Sequence, residues 1–255
     1  MKRLLGQPYA ELGGVRLYYD LFLPEGPGPF PVVIAIHGGG WISGERSNMH
    51  DVAPPLCSHG IAVACPDYRL APLNPFPAAV EDVQSFAIYL RAASVDLGLK
   101  PDRVGTMGVS AGGHLAAMLT LAGPVIEAED DCRANAGFSI CPLTDLSEPY
   151  EKHFPISHSF IEQFMGGPYE GREDLYRSAS PLAHVSPGCP PLALVHGSED
   201  DIVPFAQSEA LYAALQGAGC ESEFHPLPGE GHGFSLQGWS KIEGWLCDFF
   251  QRRLG

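Results

Sequence analysis

Gly108-Val109-Ser110-Ala111-Gly112 is the stretch whose reading decides the fold. It follows the apolar run Arg103 to Val109 and precedes a small-residue run, Ala111 to Ala122, that suits a helix packed closely on a sheet. A serine flanked by glycines at such a junction reads as an elbow. The chain turns from strand to helix so sharply that the residue at the tip is held in a strained backbone conformation, and glycines on either side remove the Cβ atoms that would clash. Ser110 would then stand exposed above a sheet.

Outward from the elbow, strands and helices alternate. Val32 to Ile36, Ile61 to Cys65, Ala134 to Cys141 and Leu192 to His196 are short apolar runs of the kind found in strands buried on both faces, and Glu221 to His225 adds another strand. Tyr9 to Leu12 and Val15 to Leu23, split by Gly13-Gly14, read as an antiparallel hairpin. Helical spacing marks Ser47 to Gly60, interrupted by Pro54-Pro55, then Pro77 to about Leu97, Ala206 to Ala218, and an amphipathic closing helix from Leu236 to Leu254. The pattern predicts an α/β fold: a mostly parallel central sheet of about eight strands with helices on both faces. Pro142 to Pro187 breaks the alternation with prolines, glycines and aromatics, and only Phe160 to Met165 looks helical. The expectation is a single domain over residues 1–255 with a lid-like insertion at 142–187.

A serine hydroxyl attacks well only when a base removes its proton, and histidine has the pKa for that work near neutrality. Of the ten histidines, His232 stands apart, because Gly231 and Gly233 flank it in a loop after the last strand. An imidazole so used needs a carboxylate to hold one tautomer and to stabilise the imidazolium. The turn after the strand Leu192 to His196 offers Glu199, Asp200 and Asp201. The oxyanion formed on attack needs preset backbone N–H donors, which Gly38, Gly39 and Gly40 can supply after the strand Val32 to Ile36, together with the N–H of Ala111. Gly38, Gly39 and Ala111 are the expected oxyanion hole, and Gly40, Trp41 and Val109 the expected substrate contacts. His114, four residues beyond Ser110, reads as structural.

The formal charge of −15 would repel nucleic acid and anionic lipid, so neither nucleic acid nor membrane is an expected partner. A small-molecule ester is expected, and the sequence admits a homodimer. Seven cysteines without any CxxC pair, odd in number, fit a reduced, cytoplasmic setting, with Cys65 and Cys141 as core residues. Met1 to Gly6 lacks the apolar core of a secretory signal, which is consistent with an intracellular chain or one already processed for secretion.

Six segments carry a family resemblance: His37-Gly-Gly-Gly-Trp41, Asp67-Tyr-Arg-Leu-Ala-Pro72, Pro75-Phe-Pro-Ala-Ala-Val-Glu-Asp82, Gly108-Val-Ser-Ala-Gly-Gly-His114, His196-Gly-Ser-Glu-Asp200 and Gly231-His-Gly-Phe234. Together they make the chain similar to the α/β-hydrolase serine esterases, near the hormone-sensitive-lipase-like and bacterial acetyl-xylan/feruloyl-esterase-like branches. The resemblance implies the α/β-hydrolase fold and a triad of Ser110, Asp200 and His232, with Asp200 rather than Asp201 as the acid. It also implies carboxylesterase activity without metal or cofactor. Val109 stands where the lipase-like branch usually has an acidic residue, and the chain begins almost directly with strands instead of a helical cap. These departures point to short-acyl esters, acetyl or small aryl and sugar esters. An arylformamidase, amidase or peptidase on the same triad, or a non-catalytic hydrolase-like binding protein, are the alternatives.

Overall fold

In the computed structural model, which describes residues 1–125 and 132–255, eight strands form one sheet in the order β1-β2-β4-β3-β5-β6-β7-β8. β1 (Lys2–Leu12) and β2 (Val15–Leu23) form the antiparallel hairpin, and β2 is also antiparallel to β4 (Ala62–Pro66). β3 (Phe30–Ile36), β4, β5 (Leu99–Val109), β6 (Ala136–Ile140), β7 (Leu192–Gly197) and β8 (Ser222–Leu227) run parallel. All parallel strands therefore deliver their carboxyl ends to one edge, where an α/β sheet gathers its reactive groups.

Helices cover both faces. On one side α2 (Ala78–Ala92), the short α3 (Ser94–Leu97) and α4 (Ala111–Leu121) pack on the sheet, α2 and α4 with a core that includes Phe86, Leu90, Leu115 and Leu119. On the other, α1 (Ala53–Ser58) and the closing helix Leu236–Leu254 meet Met107, Phe138 and Ile140 through Leu56, Leu246, Phe249 and Phe250. Ala206–Gly217 lies by β7 and β8 over a smaller cluster with Leu192, Leu211 and Leu215.

The structure moves several expected boundaries. β1 starts at Lys2, not Tyr9: it is an edge strand with irregular register whose polar residues face solvent, so it carries little apolar pattern. Pro54 and Pro55 do not break a helix but sit in the first turn of α1, where a missing N–H costs nothing. The long helix expected from Pro77 divides at Ala93, and α3 ends on Gly98 in the left-handed region.

Between β6 and β7 the segment 142–187 contains α5 (Pro149–Lys152), α6 (Pro155–Met165), α7 (Glu173–Ser178) and a 3-10 turn at Pro181–His184; Ala206–Gly217 is then α8 and Leu236–Leu254 is α9. Its Ile161, Phe164, Met165 and Tyr176 are buried in the core cluster shared with α2 and α4. Among the described residues no helix is long and apolar enough to cross a membrane.

The sharpest packing constraint lies at the end of β5. A Cβ on Gly108 would come within 2.2 Å of the Gly112 carbonyl oxygen, one on Gly112 within 2.1 Å of that of Ile36, and one on Gly113 within 2.7 Å of that of Ile140. Only glycines allow α4 to start this close to β3 and β6. Gly112→Ala is expected to destabilise the fold by about 2 kcal/mol or more, since the opposing atom is backbone and cannot rotate away. Gly244, on the exposed side of α9, makes the contrast, because a Cβ there would meet nothing within 4 Å. Gly244→Ala should stabilise by about 0.5–1 kcal/mol, both effects being read from urea unfolding midpoints.

Candidate active site

Ser110 forms the junction of β5 and α4, with φ 57° and ψ −120°. Its N–H donates to the Ile140 carbonyl at 2.8 Å, which ties the tip to β6. A non-glycine residue at positive φ is held against its own preference by its surroundings. Here the restraint comes from the three close-packed glycines that precede and follow it.

His232 Nε2 lies 3.0 Å from Ser110 Oγ, and His232 Nδ1 lies 2.7 Å from Asp200 Oδ2. Two loops from neighbouring strands make this possible. The Asp200 loop leaves β7 and the His232 loop leaves β8, and they are tied where the Glu199 N–H donates to the Glu230 carbonyl at 3.0 Å. The Glu230 side chain also receives the Ser235 N–H and hydroxyl at 2.6 and 2.5 Å, closing the histidine loop onto the start of α9.

Of the three acids the sequence left open, Asp200 is buried while Glu199 and Asp201 face solvent. Burial opposes its charge, yet hydrogen bonds from His196, His232 and the Val203 N–H outweigh burial and hold the carboxyl far below the usual range. Asp200 Oδ1 accepts the N–H groups of Ile202 and Val203 at 2.9 and 2.8 Å, so the carboxylate has partners at both oxygens. With Asp200 ionised, Nδ1–H of His232 is the donor, and Nε2 is left free to accept the Ser110 hydroxyl proton. Burial pulls the His232 pKa down, but the Asp200 hydrogen bond and the neighbouring Cys141 push it the other way, and the net shift is upward.

Two neighbours of this chain of groups had no role assigned from the sequence. His196 is fully buried on β7, its Nε2 3.0 Å from the Val203 carbonyl and 3.2 Å from Asp200 Oδ2, while its Nδ1 lies 2.7 Å from Ser208 Oγ. Because a carbonyl can only accept, Nε2 carries the proton and offers Asp200 a further donor. Its signal was legible as a histidine in an apolar strand four residues before the acid. Cys141, expected as a core residue, is indeed buried, but it follows β6 at φ 40°, and its sulfur, the Asp200 carboxylate and the His232 ring have atoms within 4.8 Å of one another. Nothing in an apolar strand pattern foretells a left-handed turn at its end.

The loop after β3 supplies the glycines. Gly39 and Gly40 have φ 109° and 59°, and a Cβ on Gly39 would meet the Ser43 carbonyl oxygen at 2.3 Å. The N–H groups of Gly39, Gly40 and Ala111 have no protein acceptor among the described residues. Gly38 sits against the Val109 carbonyl, and Ala111 is buried directly behind Ser110. Trp41 is 1% exposed, stacked on Phe164 with centroids 4.3 Å apart, and its Nε1–H donates to His114 Nδ1 at 3.2 Å. His114 passes its own Nε2–H to the Ala179 carbonyl at 2.7 Å, and burial lowers its pKa to about 4, so it is a neutral structural link. Tyr68 of the Asp67-Tyr-Arg segment stacks on His37 and donates to the His37 carbonyl at 3.1 Å, while Arg69 pairs with the buried Asp82. That segment braces the glycine loop from below.

A cavity of about 780 Å³ opens at Ser110. Gly38, Gly39, Gly40, Trp41, Val109 and His232 all line it. Its other walls come from Met49, Val52 and Pro55 beside α1, from Trp239, Ile242 and Leu246 of α9, and from Ser157 and Phe160 of α6. Apolar residues dominate, and a volume of this order suits a small-molecule ligand.

A family model described as BD-FAE matches residues 19–215. Esterase LipQ of Mycobacterium tuberculosis is 31% identical over 216 residues, covering 81% of this chain and 51% of that protein. A probable isoprenylcysteine alpha-carbonyl methylesterase of Arabidopsis thaliana is 31% identical over 228 residues, covering 84% and 48%. The chain thus spans about half the length of the curated relatives it matches. Among solved structures, a truncated carbohydrate esterase from gut microbiota superposes with a TM-score of 0.85 at 23% identity, covering 99% of this chain and 96% of that one. The esterase Est2 of Thermogutta terrifontis does so with a TM-score of 0.83 at 25% identity, covering 97% and 91%. The fold is the α/β-hydrolase fold, and the chain belongs to the BD-FAE family of α/β-hydrolase serine esterases.

Proposed function

We propose that the protein hydrolyses carboxylic esters through an acyl-enzyme on Ser110. The observation that carries this reading is the unbroken chain Ser110 Oγ, His232, Asp200 at 3.0 and 2.7 Å, beside backbone N–H groups without acceptors. Ser110 attacks the ester carbonyl as His232 Nε2 takes its proton, and Asp200 stabilises the resulting imidazolium. The N–H groups of Gly38, Gly39 and Ala111 receive the developing oxyanion. His232 then returns the proton to the departing alcohol. Water, activated by the same imidazole, releases the acid and restores Ser110.

The proposed substrates are short-acyl esters, acetyl esters foremost, of a bulky and largely apolar alcohol such as an aryl group. An acetyl group fills only a small part of a cavity of about 780 Å³, so on this reading the alcohol occupies most of it. Gly40, Trp41 and Val109 line that space and serve as substrate contacts. Segment 142–187, through Ser157 and Phe160, acts as a lid-like wall of the same cavity. The relatives named as esterases support the reaction class, and the apolar lining supports an aryl or similarly apolar leaving group.

Ser110→Ala should lower turnover of an aryl acetate by at least about 10⁴-fold while leaving the unfolding midpoint nearly unchanged. Near wild-type turnover in purified Ser110→Ala protein would end the proposal. Across an acyl series on one aryl alcohol, kcat/KM should be highest for acetyl or propionyl, and a maximum at long acyl chains would overturn the short-acyl assignment. The base must be neutral to accept a proton, and the Asp200 side of the ring raises its pKa. The rising limb of kcat/KM against pH is therefore expected to have its midpoint above the ordinary histidine value of about 6.5. Asp200→Asn should lower kcat by about 10⁴-fold and move that midpoint towards acid. A wild-type midpoint at or below the ordinary value would contradict the assigned pair.

A further inference from the structure

At the end of the sheet opposite Ser110, two cysteines that lie far apart in sequence meet. Cys189 follows the turn at Pro187-Gly188 and precedes β7 by a short extended stretch; Cys220 follows the turn at Ala218-Gly219 and precedes β8. β7 and β8 pair in parallel with Leu192 opposite Ser222, so the chain enters both strands side by side. Cys189 lies three residues before the first of these partners and Cys220 two before the second, which brings them to the same corner. Their sulfurs are 2.8 Å apart, and both thiols point at the Ser186 carbonyl, Cys189 at 2.8 Å and Cys220 at 3.2 Å. The two free thiols are thus in direct contact. The side chains already point at one another from neighbouring strand entries.

We propose that Cys189 and Cys220 form a dithiol that closes to an intramolecular disulfide when the protein meets a low-molecular-weight disulfide. The thiolate of one cysteine attacks a sulfur of the small disulfide, forming a mixed disulfide and expelling one small thiolate. The second cysteine, as thiolate, attacks the protein sulfur of that mixed disulfide and expels the other. One S–S bond is formed in the protein and one is broken in the reagent; the two protons of the cysteines end on the two small thiols released, so the protein pair is oxidised and the reagent reduced. The two residues are 7% and 6% exposed and sit on loop segments, not inside strands, so opening one turn admits the reagent. Burial and the neighbouring thiol raise the pKa of Cys189, which makes the exchange faster at alkaline pH. Cys57, Cys65, Cys141 and Cys247 have no such sulfur partner among the described residues. The bond would tie the entry to β7 to the entry to β8, the two strands whose exits carry the Asp200 and His232 loops.

The test is to expose the full chain to oxidised glutathione or to dithiothreitol, denature it, and titrate free thiols. The count is expected to fall from seven to five after oxidised glutathione and to stay at seven after dithiothreitol. Peptide mapping without reductant should recover the peptides of Cys189 and Cys220 joined to each other. The oxidised form should melt several degrees above the reduced form, and Cys220→Ser should abolish that difference. Aryl-ester turnover should be equal in the two forms, which keeps this proposal separate from the reading of Ser110. A count that stays at seven, a stable mixed disulfide with glutathione, or a cross-link between other cysteines would each overturn it. The peptide map of the wild-type chain decides the matter even if the serine variant fails to fold.

Discussion

Everything at the active edge depends on how closely three glycines let one helix approach two strands. Gly108, Gly112 and Gly113 stand where any Cβ would collide with a carbonyl oxygen, and the strain of Ser110 at φ 57° is the result of that approach. The cost of the conformation is met by packing elsewhere: α4 is buried over its whole length between the sheet and α2. Because the tip cannot relax, the hydroxyl stays in one place relative to β6, and the histidine loop needs to find only that place.

The second fixed point is a buried negative charge. Asp200 is surrounded by two backbone N–H groups and two imidazoles, an arrangement in which the carboxylate loses water but no hydrogen bond. Its charge selects the tautomer of His232. His196 and Ser208 extend the hydrogen-bonded line inward into α8, so the acid is held from the core side as well as from the cavity side.

Much of this was legible in the residues. Buried strands announce themselves as continuous apolar runs, and elbows and glycine loops as glycines at junctions, so the sheet and the neighbourhood of Ser110, Gly39 and His232 could be read directly. The choice among Glu199, Asp200 and Asp201 could not be read from spacing, because it depends on which side chain the turn after β7 directs inward. Of the helices of 142–187 only the end of α6, Phe160 to Met165, was legible. α5 and α7 span only Pro149–Lys152 and Glu173–Ser178, too short for a periodic pattern, and α6 begins earlier than its legible part, at Pro155, with Phe164 packed on Trp41 and Phe76. The cavity walls beside α1 and from α9 are not legible in sequence because Val52, Ile242 and Leu246 look like ordinary core residues there, and only the assembled sheet leaves space between them. Cys189 and Cys220 belong to the same class: 31 positions apart by their numbering, they are neighbours only through strand pairing.

Trp41 stacks on Phe164 and donates to His114, which donates in turn to Ala179, so the glycine loop, the elbow helix, α6 and the end of α7 share one aromatic and hydrogen-bonded joint. The insertion therefore has an anchored root and a free rim. Phe154 and Ile156, away from this joint, are 39% and 52% exposed, so their side chains can be exchanged without disturbing it. Residues at the root cannot, because displacing Phe164 would unseat the indole that holds the turn presenting Gly39 and Gly40. In evolutionary terms the outer part of the segment is free to diversify, while the inner part is tied to the glycine loop through Trp41.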